Sequence, residues 1–448
     1  MAEPHFTGGR RMSTQRRRQF LKNSAYGIMG AAAAPVLGLQ ANQRPDGSDG
    51  PVLTPSIREH RLLGRTGFKV SDISAGFVNN EAVLNALLDA GINYIDSAES
   101  YNNETLIGNV LKNRDRSKCF VTTKLEIKKD LSQKGFYDRA RKCLGRLQME
   151  YVDCLMIHSC ETVEAVKTPG FHAAMEQLKK EGRLRHVGLS NHGSNHALVS
   201  KDSMRDICLA AIKDGRFDVL LLAYNFAQED NGARVLEACH THGVGATLMK
   251  VNPYGNYHRL KDYLEKAEKQ GKKVHPSYRE MYEKFKAKTE RAGDFFARYG
   301  LKGTAEIRAA AIRFCLNNPH VSTVCRSFRN FEDVEALISL SGTRLELPDR
   351  KVIRAFKQDL TPFYCRHGCN ECESSCPREV PVNTVMRYFH YYAAEERQKY
   401  AMKCYARLEG AGAAVCADCR GHCEQACPHG VATRSMLALA HNKLSLFA

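Results

Sequence analysis

The chain has 448 residues, 43% of them apolar, and a formal net charge of +17. That length exceeds one ordinary core, so two domains are expected, and the apolar fraction excludes wholesale disorder. Apart from a borderline stretch near the start that reads better as a signal, no apolar run reaches the roughly 18–20 residues of a membrane span. Residues 1–50 carry +4, which leaves +13 on the remainder. Such a surface suits an acidic redox partner or a phosphorylated cofactor, or is simply solvated. No nucleic-acid motif accompanies it, so nucleic acid is not an expected partner. Of the 17 cysteines, eight crowd into two tracts between Cys365 and Cys427. The other nine, such as Cys154, Cys315 and Cys325, have mostly apolar neighbours and read as small core residues. A secreted disulfide framework would be shorter and more regularly spaced.

In chain order, Arg16-Arg17-Arg18-Gln19-Phe20-Leu21-Lys22 resembles the twin-arginine export signal. An Ala- and Gly-rich apolar segment follows at 25–39, with small residues around Ala41 that permit cleavage. The bland alternative is a basic, disordered tail. The resemblance implies a signal and tail over 1–44, a linker over 45–56, and the twin-arginine export machinery as a partner. It implies a periplasmic protein, or one associated with the cell envelope if the signal is retained. After signal removal no transmembrane anchor is expected.

From Arg58 strand and helix patterns alternate. Strands are predicted at 70–75, 92–96, 119–124, 152–158, 184–190, 219–224, 245–249 and 321–325. Helices are predicted at 81–90, 134–148, 162–180 and 305–317. Eight apolar strands alternating with helices predict an α/β fold, a TIM (β/α)8 barrel over 57–358. A doubly wound sheet is the alternative, and the missing G-x-G-x-x-G after an early strand argues against it.

Barrel chemistry belongs at the C-terminal ends of the strands. Those ends carry Asp96, Lys124 and His158, and Tyr101 follows Asp96 in its loop. Singly, each has a bland reading: a helix cap, a surface lysine, a satisfied core histidine. Together they compose a proton-transfer site. An ammonium beside a phenol favours phenolate, so Lys124 is expected to lower the pKa of Tyr101. Asp96 holds Lys124 as an ion pair, and His158 orients a substrate carbonyl or shares the proton. Tyr101 then protonates the carbonyl oxygen as hydride arrives at carbon, which implies a nicotinamide donor.

Residues 58–340 resemble an aldo/keto reductase. The family's Asp, Tyr, Lys and His tetrad falls on Asp96, Tyr101, Lys124 and His158, and residues 61–71 match its opening hairpin and first strand. His186-Val187-Gly188-Leu189-Ser190-Asn191-His192 matches the segment whose Ser190 and Asn191 would hold the nicotinamide carboxamide. The resemblance places Met249 at the ring-stacking position and Arg329 at a cofactor phosphate, with NADP(H) the implied cofactor. Four positions depart from the family: Leu221 stands for its Gln, Ser327 for a Gly, and Ala336 and Leu337 for its Glu-Asn pair. They bear on nucleotide affinity and on NADP versus NAD. Residues 253–302 form an insertion with thirteen Lys/Arg and seven Asp/Glu. It is either a lid over the pocket or a solvated helical excursion.

The final cysteines run Cys365-x3-Cys369-x2-Cys372-x3-Cys376-Pro377 and Cys416-x2-Cys419-x3-Cys423-x3-Cys427-Pro428. Thiolates closely spaced and closed by Cys-Pro favour iron–sulfur over zinc or structural thiols. The tracts resemble a two-cluster ferredoxin module of the helical kind, with a helix-like stretch over 382–408. By that resemblance Cys365, Cys369, Cys372 and Cys427 would hold one 4Fe–4S cluster. Cys416, Cys419, Cys423 and Cys376 would hold the second. The expected architecture is therefore the barrel, a small, mostly helical iron–sulfur ferredoxin-type domain over 359–432, and a C-terminal tail over 433–448. The expected function is an oxidoreductase interconverting a small-molecule carbonyl and alcohol, coupled through the clusters to a redox partner protein. The rival is an electron-transfer protein whose barrel is a scaffold. A third reading has sugar-like alcohols oxidised with the clusters as acceptor.

Overall fold

The structure is a computed structural model. It describes residues 55–127, 130–193, 202–253, 298–300, 304–359, 361–393, 397–408 and 412–445, with 269 and 395. The signal and the export readings therefore lie outside the described residues, as does nearly all of the 253–302 insertion.

A short antiparallel hairpin, β1 (His60–Leu62) with β2 (Lys69–Ser71), precedes the barrel. Eight parallel strands then close on themselves: β3 (Ile73–Val78), β4 (Tyr94–Asp96), β5 (Phe120–Glu126), β6 (Val152–His158), β7 (Leu184–Asn191), β8 (Val219–Ala223), β9 (Gly245–Met249) and β10 (Thr323–Phe328). Their order is β10-β3-β4-β5-β6-β7-β8-β9. The strands are buried on both faces, which is why they read as continuous apolar runs. Inward-facing Tyr94, Phe120, Cys154, Met156, Val219, Leu221 and Cys325 fill the lumen, and Leu63, Phe68 and Val70 of the hairpin plug its N-terminal end. Tyr94 and Phe120 stack at 5.5 Å between ring centroids. With the interior packed, chemistry is left to the opposite, C-terminal mouth.

Helix starts follow local chemistry. Asn80 accepts from the Ala82 and Val83 amides at the start of Glu81–Asp89, and Ser203 forms a capping box with Asp206 ahead of Met204–Asp214. Four expected boundaries are corrected. The first predicted strand breaks at Asp72, whose carboxylate accepts from the Ser341 hydroxyl at 2.6 Å and the Gly342 amide at 2.7 Å. The helix expected from 162 begins at Pro169, because a proline disfavours helix in the residue before it. The last strand lies further along than 321–325, so Cys325 and Ser327 belong to the strand, which bulges between Arg326 and Phe328. The expected 382–408 helix is two, Val382–Ala393 and Gln398–Tyr405.

The C-terminal region is helical among its described residues. The expected tail from 433 is a helix, Thr433–Leu444, whose Met436, Leu437 and Leu439 are buried against Val385, Phe389 and Cys423. The apolar face of that segment has to be covered, and this cluster covers it. Residues from Ile57 to the end form one unit. A shared cluster joins its parts: Phe226 and Ala311 pack with Phe356, Phe363 and Tyr364. The Tyr364 hydroxyl also donates to Gln228 at 3.0 Å and accepts from Asn225 at 2.8 Å. No helix among the described residues is long and apolar enough to cross a membrane.

Candidate active site

Asp96 ends β4, Lys124 lies in β5 and His158 ends β6, three neighbouring strands in the closed sheet. Parallel register brings their C-terminal ends together, and the next loop supplies Tyr101. Lys124 donates to Asp96 Oδ2 at 2.5 Å and to the Ser97 carbonyl at 2.7 Å. Its Nζ lies 4.8 Å from the Tyr101 ring centroid, and the His158 ring meets Tyr101 edge-on at 5.6 Å. Ser97 donates to Asn103, whose amide donates to the Val78 carbonyl, and these bonds shape the loop that presents Tyr101. The second oxygen of Asp96 is buried with no partner among the described residues. All four expected residues are thus gathered in one place.

The expected lowering of the Tyr101 pKa does not appear. Burial first, then the Asp96 carboxylate, push the phenol well above its usual value. The Lys124 charge is directed at Asp96, and an ion pair exerts a much weaker field than a lone ammonium. The opposing charge nearest to helping Tyr101 is Arg397, from the C-terminal region.

Asp96, Tyr101 and His158 open into a cavity of about 940 Å³. Of the expected nucleotide-side residues, Met249 and Arg329 line it, with the departures Leu221, Ser327 and Leu337. Ser190 and Asn191 do not. Ser190 is fully buried, accepting from the Ser159 amide and donating to the Ile157 carbonyl. Asn191 is buried too, bonded to the Cys160 carbonyl and the Gly193 amide. The C-terminal region seals this edge: the Met204 amide donates to the Gly368 carbonyl, and Gly193 abuts Asn383 and Gly368.

The cavity roof was missed by sequence reasoning. Tyr388, His390, Tyr391, Glu395, Arg397, Tyr400, Lys403 and Arg407 all line it. Lys250, just past β9, pairs with Glu395 at 2.9 Å, and Arg329 donates to the Glu395 carbonyl. These bonds tie Glu395, which lies between the two helices, to the barrel. The only signal in the sequence was the density of Tyr, Arg and Lys over 387–407. A hollow of about 1070 Å³ at the opposite end of the barrel, near Phe68, Asn93 and Lys118, gathers no catalytic constellation.

The eight cysteines divide between two hollows. Cys365, Cys369, Cys372 and Cys427 line one, and Cys376, Cys416, Cys419 and Cys423 line the other. Each tract thus lends its last cysteine to the other group. Burial, then the Glu371 carboxylate and the Cys427 thiol, push the Cys369 thiol up to about 11; burial, then neighbouring thiols, push the Cys416 thiol up to about 12. Four converging thiols are a donor set suited to a cationic centre, which would bind them as thiolates. Amide and side-chain donors already face the sulfurs: Val380 N to Cys376 at 3.4 Å, Gly421 N to Cys419 at 3.4 Å, and Thr433 to Cys423 at 3.5 Å. His429 lines the first hollow 3.7 Å from the Cys369 sulfur, and ligand atoms of Cys369, Glu371 and His429 lie within 4.8 Å of one another.

The model of the aldo/keto reductase family matches residues 73–356. An uncharacterized oxidoreductase, YqkF, of Bacillus subtilis (strain 168) is 29% identical over 157 residues, which is 29% of this chain and 48% of that protein. An NADH-specific methylglyoxal reductase of Escherichia coli (strain K12) is 25% identical over 194 residues, 38% of this chain and 56% of that protein. The chain spans about half the length of the curated relatives it matches. Among solved structures, the holo form of aldo-keto reductase AKR11C1 from Bacillus halodurans is 22% identical. It covers 66% of this chain and 95% of its own, with a TM-score of 0.47.

Proposed function

This chain belongs to the aldo/keto reductase family, and on that premise we propose an oxidoreductase that interconverts a small carbonyl compound and its alcohol, coupled to two 4Fe–4S clusters. The observation that carries the reading is the shared cavity, lined by Asp96, Tyr101 and His158 from the barrel and by the C-terminal region that also bears the eight cysteines. Tyr101, kept protonated by burial, donates from its hydroxyl to the substrate oxygen. Lys124, anchored by Asp96 and the Ser97 carbonyl, stabilises negative charge growing on the phenol. His158 orients the carbonyl. The roof of Tyr391, Glu395 and Arg397 excludes water from the reacting atoms.

NADP(H), where bound, supplies hydride; Met249, Ser327 and Arg329 line the space for it. The fit is partial, since Ser190 and Asn191 are closed to the cavity. Iron–sulfur clusters, where bound, supply one-electron steps, and the two cysteine quartets are a fitting donor set. Residues 365, 369, 372 and 427 would hold one, and 376, 416, 419 and 423 the other. A redox partner protein would then exchange electrons with them. The Arg16-Arg17-Arg18-Gln19-Phe20-Leu21-Lys22 motif supports export by the twin-arginine route to the periplasm, which suits a protein that acquires clusters before export. The domain division proposed is signal 1–44, linker 45–56, barrel 57–358 and a ferredoxin-type domain from 359, extended through the helix Thr433–Leu444.

Anaerobic purification tests this. About eight iron and eight sulfide per chain and a reducible cluster signal are expected. Methylglyoxal reduction with NADPH or NADH should fall at least about 10²-fold in Tyr101→Phe. Unchanged turnover in that variant would sink the catalytic reading.

A further inference from the structure

Arg397 stands in the cavity roof just ahead of the helix Gln398–Tyr405, its backbone amide donating to the Tyr391 carbonyl at 2.9 Å. Its guanidinium carbon lies 4.0 Å from the Tyr400 ring centroid and 5.6 Å from those of Tyr391 and Phe77. Phe77 in turn packs edge-on against Tyr101 at 5.8 Å. The carboxylate paired with Arg397 is Glu395, at 3.7 Å, which is outside hydrogen-bond reach. Among the described residues no group accepts a hydrogen bond from this guanidinium. Resting on the oxidoreductase reading above, we propose that Arg397 binds a carboxylate carried by the substrate. The preferred substrates are then carbonyl acids and the matching hydroxy acids rather than neutral aldehydes.

The surroundings of Arg397 support this. Three rings hold the guanidinium, and contact with a ring satisfies its face and leaves its N–H edges free. Those edges match a planar acceptor with two oxygens, the bidentate geometry of a carboxylate. Carboxylates of the cavity lining are committed elsewhere: Asp96 to Lys124 at 2.5 Å, Glu395 to Lys250 at 2.9 Å, and Asp333 to the Arg329 amide at 3.1 Å. Cations outnumber carboxylates in that lining, and Lys403 and Arg407, both exposed, add a positive potential that draws an anion in. Arg329 follows β10 on the nucleotide side. Arg397 instead touches Phe77, and its charge reaches Tyr101. Because Phe77 packs against both residues, a substrate with its acid end on Arg397 needs only a short spacer to bring its carbonyl to the Tyr101 hydroxyl. Binding of this kind fixes which end of the substrate meets the phenol. Arg397 takes no part in the proton transfer, which stays with Tyr101.

The test compares aldehydes that differ by one charge, using the full-length protein with its clusters and NADPH. The pairs are 4-carboxybenzaldehyde and succinic semialdehyde, each against its methyl ester. In the parent, kcat/KM should favour each acid by about 10- to 100-fold, the worth of a hydrogen bond to a charged group. In Arg397→Gln that ratio should collapse toward unity, and Arg397→Lys should restore part of it. Both variants are first checked for the parent's melting temperature and iron content; should Arg397→Gln not fold, Arg397→Lys carries the comparison. Terephthalate, which cannot react, should compete with the acids in the parent and lose about tenfold or more in affinity in Arg397→Gln. Equal use of acid and ester by the parent, or a preference that survives Arg397→Gln, overturns the inference and leaves the oxidoreductase reading standing. So does reduction of methylglyoxal but of neither acid, or a preference for glyceraldehyde 3-phosphate over both. A rise in the NADPH KM with the acid-to-ester ratio unchanged assigns Arg397 to the nucleotide and overturns the inference equally. If the parent reduces none of these carbonyls, methylglyoxal included, the reading fails and takes the inference with it.

Discussion

Lys124 and Asp96 form an ion pair of 2.5 Å with side-chain exposures of 0% and 4%. A pair sealed this far from water owes its retention to function, since apolar residues of similar size would pack there at least as stably. Asp96→Asn strands an ammonium in the barrel. It is expected to destabilise the fold by about 3–5 kcal/mol in urea unfolding. The double variant Asp96→Leu/Lys124→Met should recover much of that stability and none of the activity. If the single variant unfolds like the parent, the pair is not the sealed unit described here.

His390 predicts a pH dependence. Burial, then Lys250 and Arg326, against the pull of Glu395, lower its pKa to about 4. The folded value lies below the unfolded one of about 6.5, so the unfolded chain binds more protons between the two. Stability is full above about 6.5 and is lost as pH falls toward 4. Melting temperatures taken across that window should drop more steeply for the parent than for His390→Gln. Parallel curves would contradict the assignment.

Gly193 marks where the barrel meets the first cysteine loop. Its φ is +98°, and an added Cβ would lie 2.8 Å from Asn383 Oδ1. That amide accepts from the Gly368 amide at 2.8 Å and donates to the Arg366 carbonyl at 2.6 Å. Gly193→Ala is therefore strained twice, in its backbone and in its contact. It should loosen residues 365–373 while sparing the barrel. Faster hydrogen exchange in that loop, with β5 and β6 unchanged, is the expected pattern.

If the proposed clusters are bound, the exchange of last cysteines between tracts sets which of them each variant loses. Cys427→Ser should disturb the centre bounded by Cys365, Cys369 and Cys372, and Cys376→Ser the centre bounded by Cys416, Cys419 and Cys423. Each variant should keep about half of the parent's iron, with a different cluster signal remaining in each. The same surviving signal in both would contradict the partition.

Much of the barrel could be read from the chain because the needed information is local. Strand periodicity, capping residues and the residues just past strand ends lie within windows of a few residues, so Asp96, Tyr101, Lys124 and His158 were identifiable in line. The cysteine spacing was legible for the same reason. What the windows could not hold was docking. Ser190 and Asn191 look like open ligands in sequence, yet they are sealed at the edge where the loop around Gly368 packs against Gly193 and Met204. Glu395 reads as mid-helix, yet it lies between two helices and pairs with Lys250, 145 positions earlier. The segment from Thr433 reads as a tail, yet a cluster assembled from 60 residues of chain buries it. The ion pairs of the cavity roof likewise join separate segments, and Coulomb interactions depend on distance in space rather than along the chain. The sequence alone determined the barrel strands, the tetrad and the two thiol tracts; only the tertiary structure decided what closes over them, because that closure is made of long-range side-chain pairs.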